Sequence, residues 1–136
     1  MVIDTSALLA ILLDEAGADT VEAALANDPI RLVSAASVLE AMIVVEARFG
    51  EPGGRELDLL FHKARIDVVA FDAGQLETAR SAFRRFGKGR HPAGLNFGDC
   101  FSYALARTSG EPLLFVGKDF SRTDIVAALN GPGSLR

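Results

Sequence analysis

The chain has 136 residues, 49% of them hydrophobic, and a formal net charge of −4. That length suits one domain, residues 1–136, with a real core, and no apolar run approaches the roughly 18 residues of a membrane span. The acidic balance argues against a simple phosphate binder, whose surface would be basic. It suits a protein that concentrates carboxylates to hold cations and meets a polyanion through a local basic patch.

Val2-Ile3-Asp4 is expected as a short buried strand, and Ser6 to Leu13 as a helix capped by Thr5 or Ser6. The opening MVIDTSALLAILLDEAG is not read as a signal peptide, because it lacks a basic start and carries Asp4, Asp14 and Glu15. A second helix, Ala18 to Ala26, closes at Asn27-Asp28-Pro29, and Ile30 to Val33 is the next strand. Ser34 to Phe49 predicts a long helix ended by Gly50; EPGG, Glu51 to Gly54, predicts a turn before a helix near Arg55 to Ala64. Val68 to Phe71 is a third strand. Asp72 then starts a helix to Phe86, with Gln75 in the capping-box position. A polar loop, Gly87 to Asn96, leads into LNFGDCFSYALA and a helix to about Thr108. SGEP then turns the chain into a fourth strand, Leu113 to Val116. The tail from Ser121 has room for a short last strand or helix. Short apolar strands alternating with helices predict an α/β fold, a parallel sheet covered on both faces. Cys100 is the only cysteine, so no intrachain disulfide forms, which fits a reducing cytoplasm.

Four acids stand apart from the solvated ones. Asp4 closes an apolar strand, where sites of open α/β sheets gather, although capping the next helix is its ordinary role. Glu40 lies in SVLEAMIVV, with Ile43 and Val44 one turn on, so it is expected to share an apolar face at a cost unless paired or bound to a cation. The alternative is a capping box, Ser37-x-x-Glu40. Asp99 opens the helix of LNFGDCFSYALA, and Asp119 follows the fourth strand in FVGKDF. Close carboxylates repel, so gathering them needs a counter-charge. Without a His or Cys cluster, oxygen-only ligation suits Mg²⁺ or Mn²⁺. Such ions activate water and stabilise charge on a phosphoryl group.

MVIDTSALLAIL, SAASVLEAMIVVEARFG, LNFGDCFSYALA and LLFVGKDFSRTDI together resemble the PIN-domain ribonucleases, and closely the VapC toxins of bacterial toxin–antitoxin pairs. RFGEPGGRELDL and KGRHPAGLN are similar to one VapC subgroup. The four acids follow one another at spacings of 36, 59 and 20 residues. The resemblance implies a PIN-like three-layer α/β/α sandwich on a mostly parallel sheet of about five strands. It implies Asp4, Glu40, Asp99 and Asp119 as catalytic acids, with Asp4 and Asp99 as metal ligands for Mg²⁺ or Mn²⁺. It further implies hydrolysis of structured RNA such as tRNA, a homodimer, and silencing by a cognate VapB-type antitoxin. Many relatives carry an earlier acid in the last motif, at the place of Gly117. Asp119 is expected to take that role, on a short helical turn with Phe120 packed beneath, ahead of Asp124.

Arg84, Arg85, Lys88 and Arg90 cluster just before the Asp99 helix and are expected to guide RNA; a solvated helix end is the alternative. His91 is a weaker possibility as a proton donor. Ala7 to Leu13 and Met42 to Val45 are expected at an antitoxin groove or a dimer seam. Two other functions compete. A catalytically inactive PIN-like binding module would keep the fold alone. A phospho-receiver domain would use Asp72 after strand three as phosphoacceptor and Lys118 after strand four or five, and leave Glu40 and Asp99 without a role.

Overall fold

The computed structural model describes residues 1–129. Four short parallel strands, β1 (Val2–Ile3), β2 (Leu32–Ser34), β3 (Asp67–Val69) and β4 (Leu113–Leu114), lie in the order β3-β2-β1-β4. Val2 stands opposite Leu32 on one side and Leu113 on the other. The helices are α1 (Thr5–Leu12), α2 (Ala18–Asn27), α3 (Ala35–Phe49), α4 (Glu51–Ala64), α5 (Ala73–Phe86) and α6 (Phe97–Ser109). A 3₁₀ turn, Asp119–Arg122, follows β4.

Alternation along each strand sorts the core into two layers of packing. Ile3, Val33 and Leu114 face one way and join Leu8, Val21, Ala41 and Leu57 of α1 to α4. Val2 and Leu113 face the other way, with Leu32 and Val69 beside them, and join Ala82, Phe86, Tyr103 and Leu105 of α5 and α6. The sheet is therefore sandwiched between helices, as the alternating pattern predicts. About five strands were expected. The described residues form four, and only a single parallel bridge, Ala127 to Leu113, stands in the place of a fifth. Its two hydrogen bonds, Leu113 N–H to the Val126 carbonyl and Ala128 N–H to the Leu113 carbonyl, measure 2.9 and 2.8 Å. One such pair does not extend into a ladder before the chain leaves the edge. The last part of the tail, 130–136, lies outside the described residues.

Three local readings change. Asp4, not Thr5 or Ser6, caps α1. EPGG is the first turn of α4 rather than a turn before it. Pro52 lies at the start of the helix, where a missing N–H costs nothing, and Gly53 and Gly54 are buried. At α5 the Asp72 carboxylate accepts from the Gln75 N–H at 2.9 Å, but the Gln75 amide donates to the Ala70 carbonyl instead of closing the box. No helix among the described residues is long and apolar enough to cross a membrane.

The strand order places the site. The chain builds β1, β2 and β3 outward on one side, then returns to put β4 against the other side of β1. The switch lies at the carboxyl ends of β1 and β4, where open α/β sheets form their crevices. Asp4 leaves β1 there, and Asp119 follows β4.

Candidate active site

Asp4 is 4% exposed. Its Oδ2 accepts from the Ser6 N–H at 3.1 Å and the Ser6 hydroxyl at 2.6 Å, and its Oδ1 accepts from the Ser102 hydroxyl at 2.5 Å. Burial pushes the Asp4 carboxyl above its usual range, and the hydroxyls of Ser102 and Ser6 only partly oppose this. Ser6 Oγ also accepts from the Val116 N–H at 3.0 Å, which ties the start of α1 to the chain after β4.

Asp99 is the third residue of α6 and 8% exposed. It closes a capping box: its carboxylate accepts from the Asn96 N–H at 3.0 Å, and its own N–H donates to the Asn96 side chain at 2.9 Å. The helix-cap role is therefore real, but it is not the whole of the environment. Burial pushes the Asp99 carboxyl up to about 7; the Asn96 N–H opposes this, and the charges of Asp4 and Asp119 add to it. Asp119 also raises it through its own side chain. It sits at the head of the 3₁₀ turn with its side chain exposed, while Phe120 is buried beneath at 5.2 Å from the Phe115 ring. Gly117 has φ +105°, a conformation that disfavours an L side chain.

Asp124 is spent elsewhere. It accepts from the Tyr103 hydroxyl at 2.7 Å and pairs with Arg85 at 3.4 Å and Arg107 at 3.6 Å. Burial alone would raise its pKa; the Tyr103 hydroxyl, Arg107 and Arg85 outweigh burial and hold it low.

Glu40 is placed differently from expectation. It is exposed, and so are Ile43 and Val44. The apolar face it shares is a surface, so no burial cost arises. The Ser37–Glu40 capping box does not form either, because Ser34 caps α3. The Glu40 carboxylate instead accepts from the Thr5 hydroxyl at 2.7 Å and lies against Gly98. A Cβ at residue 98 would overlap both Glu40 oxygens. The bare helix start at Gly98 thus admits Glu40 beside Asp99.

The donor set around the crevice is oxygen only, and burial, with the charges of Asp4 and Asp119 added, holds the Asp99 carboxyl well above its usual range. That chemistry fits a hard divalent cation. Among the described residues no three His, Cys, Asp or Glu side chains stand grouped as a ready cage. The fit rests on donor type and on the like-charge crowding of Asp4, Asp99 and Asp119.

The basic cluster divides. Arg85 pairs with Asp124 and stacks over Phe86 at 4.7 Å, so it is occupied in holding α5 to the tail. Arg84, Lys88 and Arg90 are exposed. Lys88 shares a groove wall with Asn96 and Phe97, next to the cap of α6, and Arg90 lies 5.8 Å from the Phe83 ring. His91 Nδ1 accepts from the Ala93 N–H at 3.0 Å, and its ring packs edge-on to Phe86. That shapes the loop rather than offering a proton. Cys100 is a buried filler whose thiol donates to the Asn96 carbonyl.

The sequence matches the PIN domain family over residues 1–126. It belongs to that family, among the VapC-type proteins. The chain is 64% identical over 127 residues to a ribonuclease VapC from Mycolicibacterium smegmatis, covering 93% of this chain and 98% of that one. It is 64% identical over 125 residues to ribonuclease VapC30 from Mycobacterium tuberculosis, covering 92% and 95%. The fold resembles crystalline VapC20 of M. tuberculosis, a sarcin–ricin-loop-cleaving toxin, with TM-score 0.75 at 20% identity over 92% of this chain and 95% of that one. It also resembles a chain of the VapBC2 complex of Rickettsia felis bound to a promoter DNA fragment, with TM-score 0.69 at 15% identity over 93% and 94%.

Asp72 caps α5 through the Gln75 N–H, and the family match sets the receiver-domain reading aside. Ser102 escaped the sequence reading, and Ser37 was read there only as a possible partner of Glu40 in a capping box. Ser102 bonds Asp4, and Ser37 stands 3.4 Å behind it. The only signal was spacing: each lies three residues from an acid, Ser37 before Glu40 and Ser102 after Asp99.

Proposed function

We propose that this PIN domain is a metal-dependent endoribonuclease, the toxin of a VapB–VapC-type pair, that hydrolyses phosphodiester bonds of structured RNA such as tRNA. One observation carries the reading. Asp4, buried at the end of β1, and Asp99, buried in the first turn of α6, stand at the switch crevice with their elements tied by the Ser102–Asp4 bond, and Asp119 is exposed after β4. Asp4 and Asp99 would hold Mg²⁺ or Mn²⁺, with Asp119 and Glu40 at the rim. The ion, when bound, supplies counter-charge and Lewis acidity toward a phosphodiester. The chain's own residues do the rest. Ser6 and Ser102 orient Asp4, Asn96 orients Asp99, and Thr5 orients Glu40. Lys88, Arg84 and Arg90 attract the polyanion toward the end of α6.

The partner reading rests on charge and on two surfaces. An acidic crevice accepts a basic side chain as readily as a cation, so the antitoxin is expected to place an Arg or Lys near Asp4 and Asp99. Leu39, Ile43 and Val44 form an exposed apolar stripe on α3 beside Glu40, suited to an antitoxin segment. Of the segments expected there, Met42 to Val45 is thus half available. Ala7, Leu8 and Ala10 of α1 are in the core. A homodimer seam is better placed in the apolar groove of about 820 Å³ between α5 and α6, lined by Phe71, Leu76, Phe83, Phe97 and Phe101; Phe97 there is 80% exposed. A light-scattering mass of a monomer at micromolar concentration would remove the dimer.

Expression in a bacterial host tests the toxin reading. Growth arrest is expected from the parent chain, none from Asp99→Asn, and relief when a VapB-type partner is co-expressed. Equal arrest by parent and Asp99→Asn would remove the catalytic reading and leave a binding module.

A further inference from the structure

Both oxygens of Asp4 are held by hydroxyls, and the two hydroxyls differ in kind. Ser6 is local, two residues along the chain, and its hydroxyl and N–H both donate to Asp4 as it caps α1. Ser102 comes from α6, far away in sequence, and is fully buried. A serine inside a helix ordinarily turns its hydroxyl back onto a carbonyl one turn earlier. Among the described residues the Ser102 hydroxyl has two partners, Asp4 Oδ1 at 2.5 Å and Ser37 Oγ at 3.4 Å. A serine hydroxyl has one proton. Since Ser102 gives it to the carboxylate, Ser37 must donate to Ser102. The chain of bonds therefore has a direction, from Ser37 on α3, through Ser102 on α6, to Asp4 at the end of β1.

This chain joins the three elements that carry Asp4, Glu40 and Asp99, on the inner side of the crevice. Both serines are at most 1% exposed, at helical positions where alanine would be the ordinary filler. Buried hydroxyls at such places need a partner to offset their desolvation, and the partner here is a carboxylate. We propose that Ser102 is a positioning residue for the metal-binding face of Asp4, and that Ser37 acts through Ser102. With Oδ1 pinned by Ser102 and Oδ2 by Ser6, the carboxylate cannot rotate about its last bond. Its remaining lone pairs therefore keep one fixed orientation at the carboxyl end of β1. Without Ser102, Oδ1 is buried with no donor, and the carboxylate turns to find one. The inference rests on the metal-dependent reading above.

The test is Mn²⁺ binding to the purified full chain by calorimetry, with melting in EDTA as the check on folding. Ser102→Ala should weaken Mn²⁺ binding roughly tenfold to a hundredfold, as loss of a ligand's hydrogen-bond partner does elsewhere. Raising Mn²⁺ should restore kcat, which a merely structural defect would not allow. Ser102→Thr, which keeps the hydroxyl, should bind Mn²⁺ better than Ser102→Ala. Ser37→Ala should weaken binding in the same sense but less, and it carries the test if Ser102→Ala fails to fold. A folded Ser102→Ala with the parent's Mn²⁺ affinity would overturn the proposal, as would, in its absence, an unaffected Ser37→Ala. Failure of the parent itself to bind Mn²⁺ would instead sink the metal reading, and the positioning role with it.

Discussion

Replacing Asp99 by Asn removes one negative charge from the crevice but keeps the helix cap, because an amide oxygen can still accept from the Asn96 N–H, now 3.0 Å from the carboxylate. Burial, opposed by that N–H and reinforced by Asp4 and Asp119, holds the Asp99 pKa at about 7, against its usual 3.8. The folded state therefore binds this proton more tightly than the unfolded state. Its contribution to metal-free stability is full below 3.8 and declines as pH rises toward about 7. From pH 5 to the folded pKa, at about 1.36 kcal/mol per pH unit, the loss has an upper bound of roughly 2.7 kcal/mol. Proton sharing among neighbouring acids and solvent at the crevice mouth reduce it to about 1.5 kcal/mol. For a chain of this size that is roughly 5 °C in Tm. The assay is thermal unfolding by circular dichroism in EDTA at pH 5 and pH 8, parent against Asp99→Asn. The variant's Tm relative to the parent should rise by about 5 °C between the two pH values. A difference that stays flat, or that favours the parent at pH 8, would refute the raised Asp99 pKa.

Asp119→Asn should lower kcat at least about tenfold, equivalent to about 1.4 kcal/mol of barrier, with a smaller loss of RNA affinity. Asp124→Asn should leave kcat nearly unchanged yet destabilise the fold by about 1 kcal/mol, because Tyr103, Arg85 and Arg107 lose a charged partner; the opposite ranking in a paired kinetic and melting experiment would exchange the two roles. Gly98→Ala puts a Cβ where the Glu40 carboxylate lies, so cleavage should fall by about tenfold or more while the chain still folds, helped by alanine's better helix propensity. Charge reversal at Arg84 and Lys88 should flatten the salt dependence of RNA binding by roughly one to two contacts' worth, leaving Mn²⁺ affinity intact; an unchanged salt slope would return both residues to a solvated helix end.

The layers of the fold were legible because strands and helices differ in apolar period, and Val2 and Ile3 alone announce two covered faces. EPGG was not legible as a helix start, since proline and paired glycine also signal turns, and only packing against α3 decides. Asp4 shows that a cap and a candidate site residue are not alternatives: it caps α1 through the Ser6 N–H while standing buried at the carboxyl edge of the sheet. Glu40 was found for a reason that does not hold. An apolar helical face reads the same whether it enters the core or waits for a partner, and Ile43 at 56% exposure belongs to the second kind. Arg85 looked free because Asp124, which claims it, lies far along the chain. Ser37 and Ser102 carry no pattern of their own; only the meeting of α3, α6 and β1 gives their hydroxyls a direction.

The most direct measurement of the central assignment is cleavage of an end-labelled structured RNA by the parent chain and by Asp4→Asn, each with Mg²⁺, with Mn²⁺ and with EDTA. Parent cleavage in either metal, none in EDTA, and none by folded Asp4→Asn is the expected outcome, with products bearing a linear phosphate because water is the nucleophile. Cleavage by the parent that persists in EDTA, or products ending in a 2′,3′-cyclic phosphate, would contradict it.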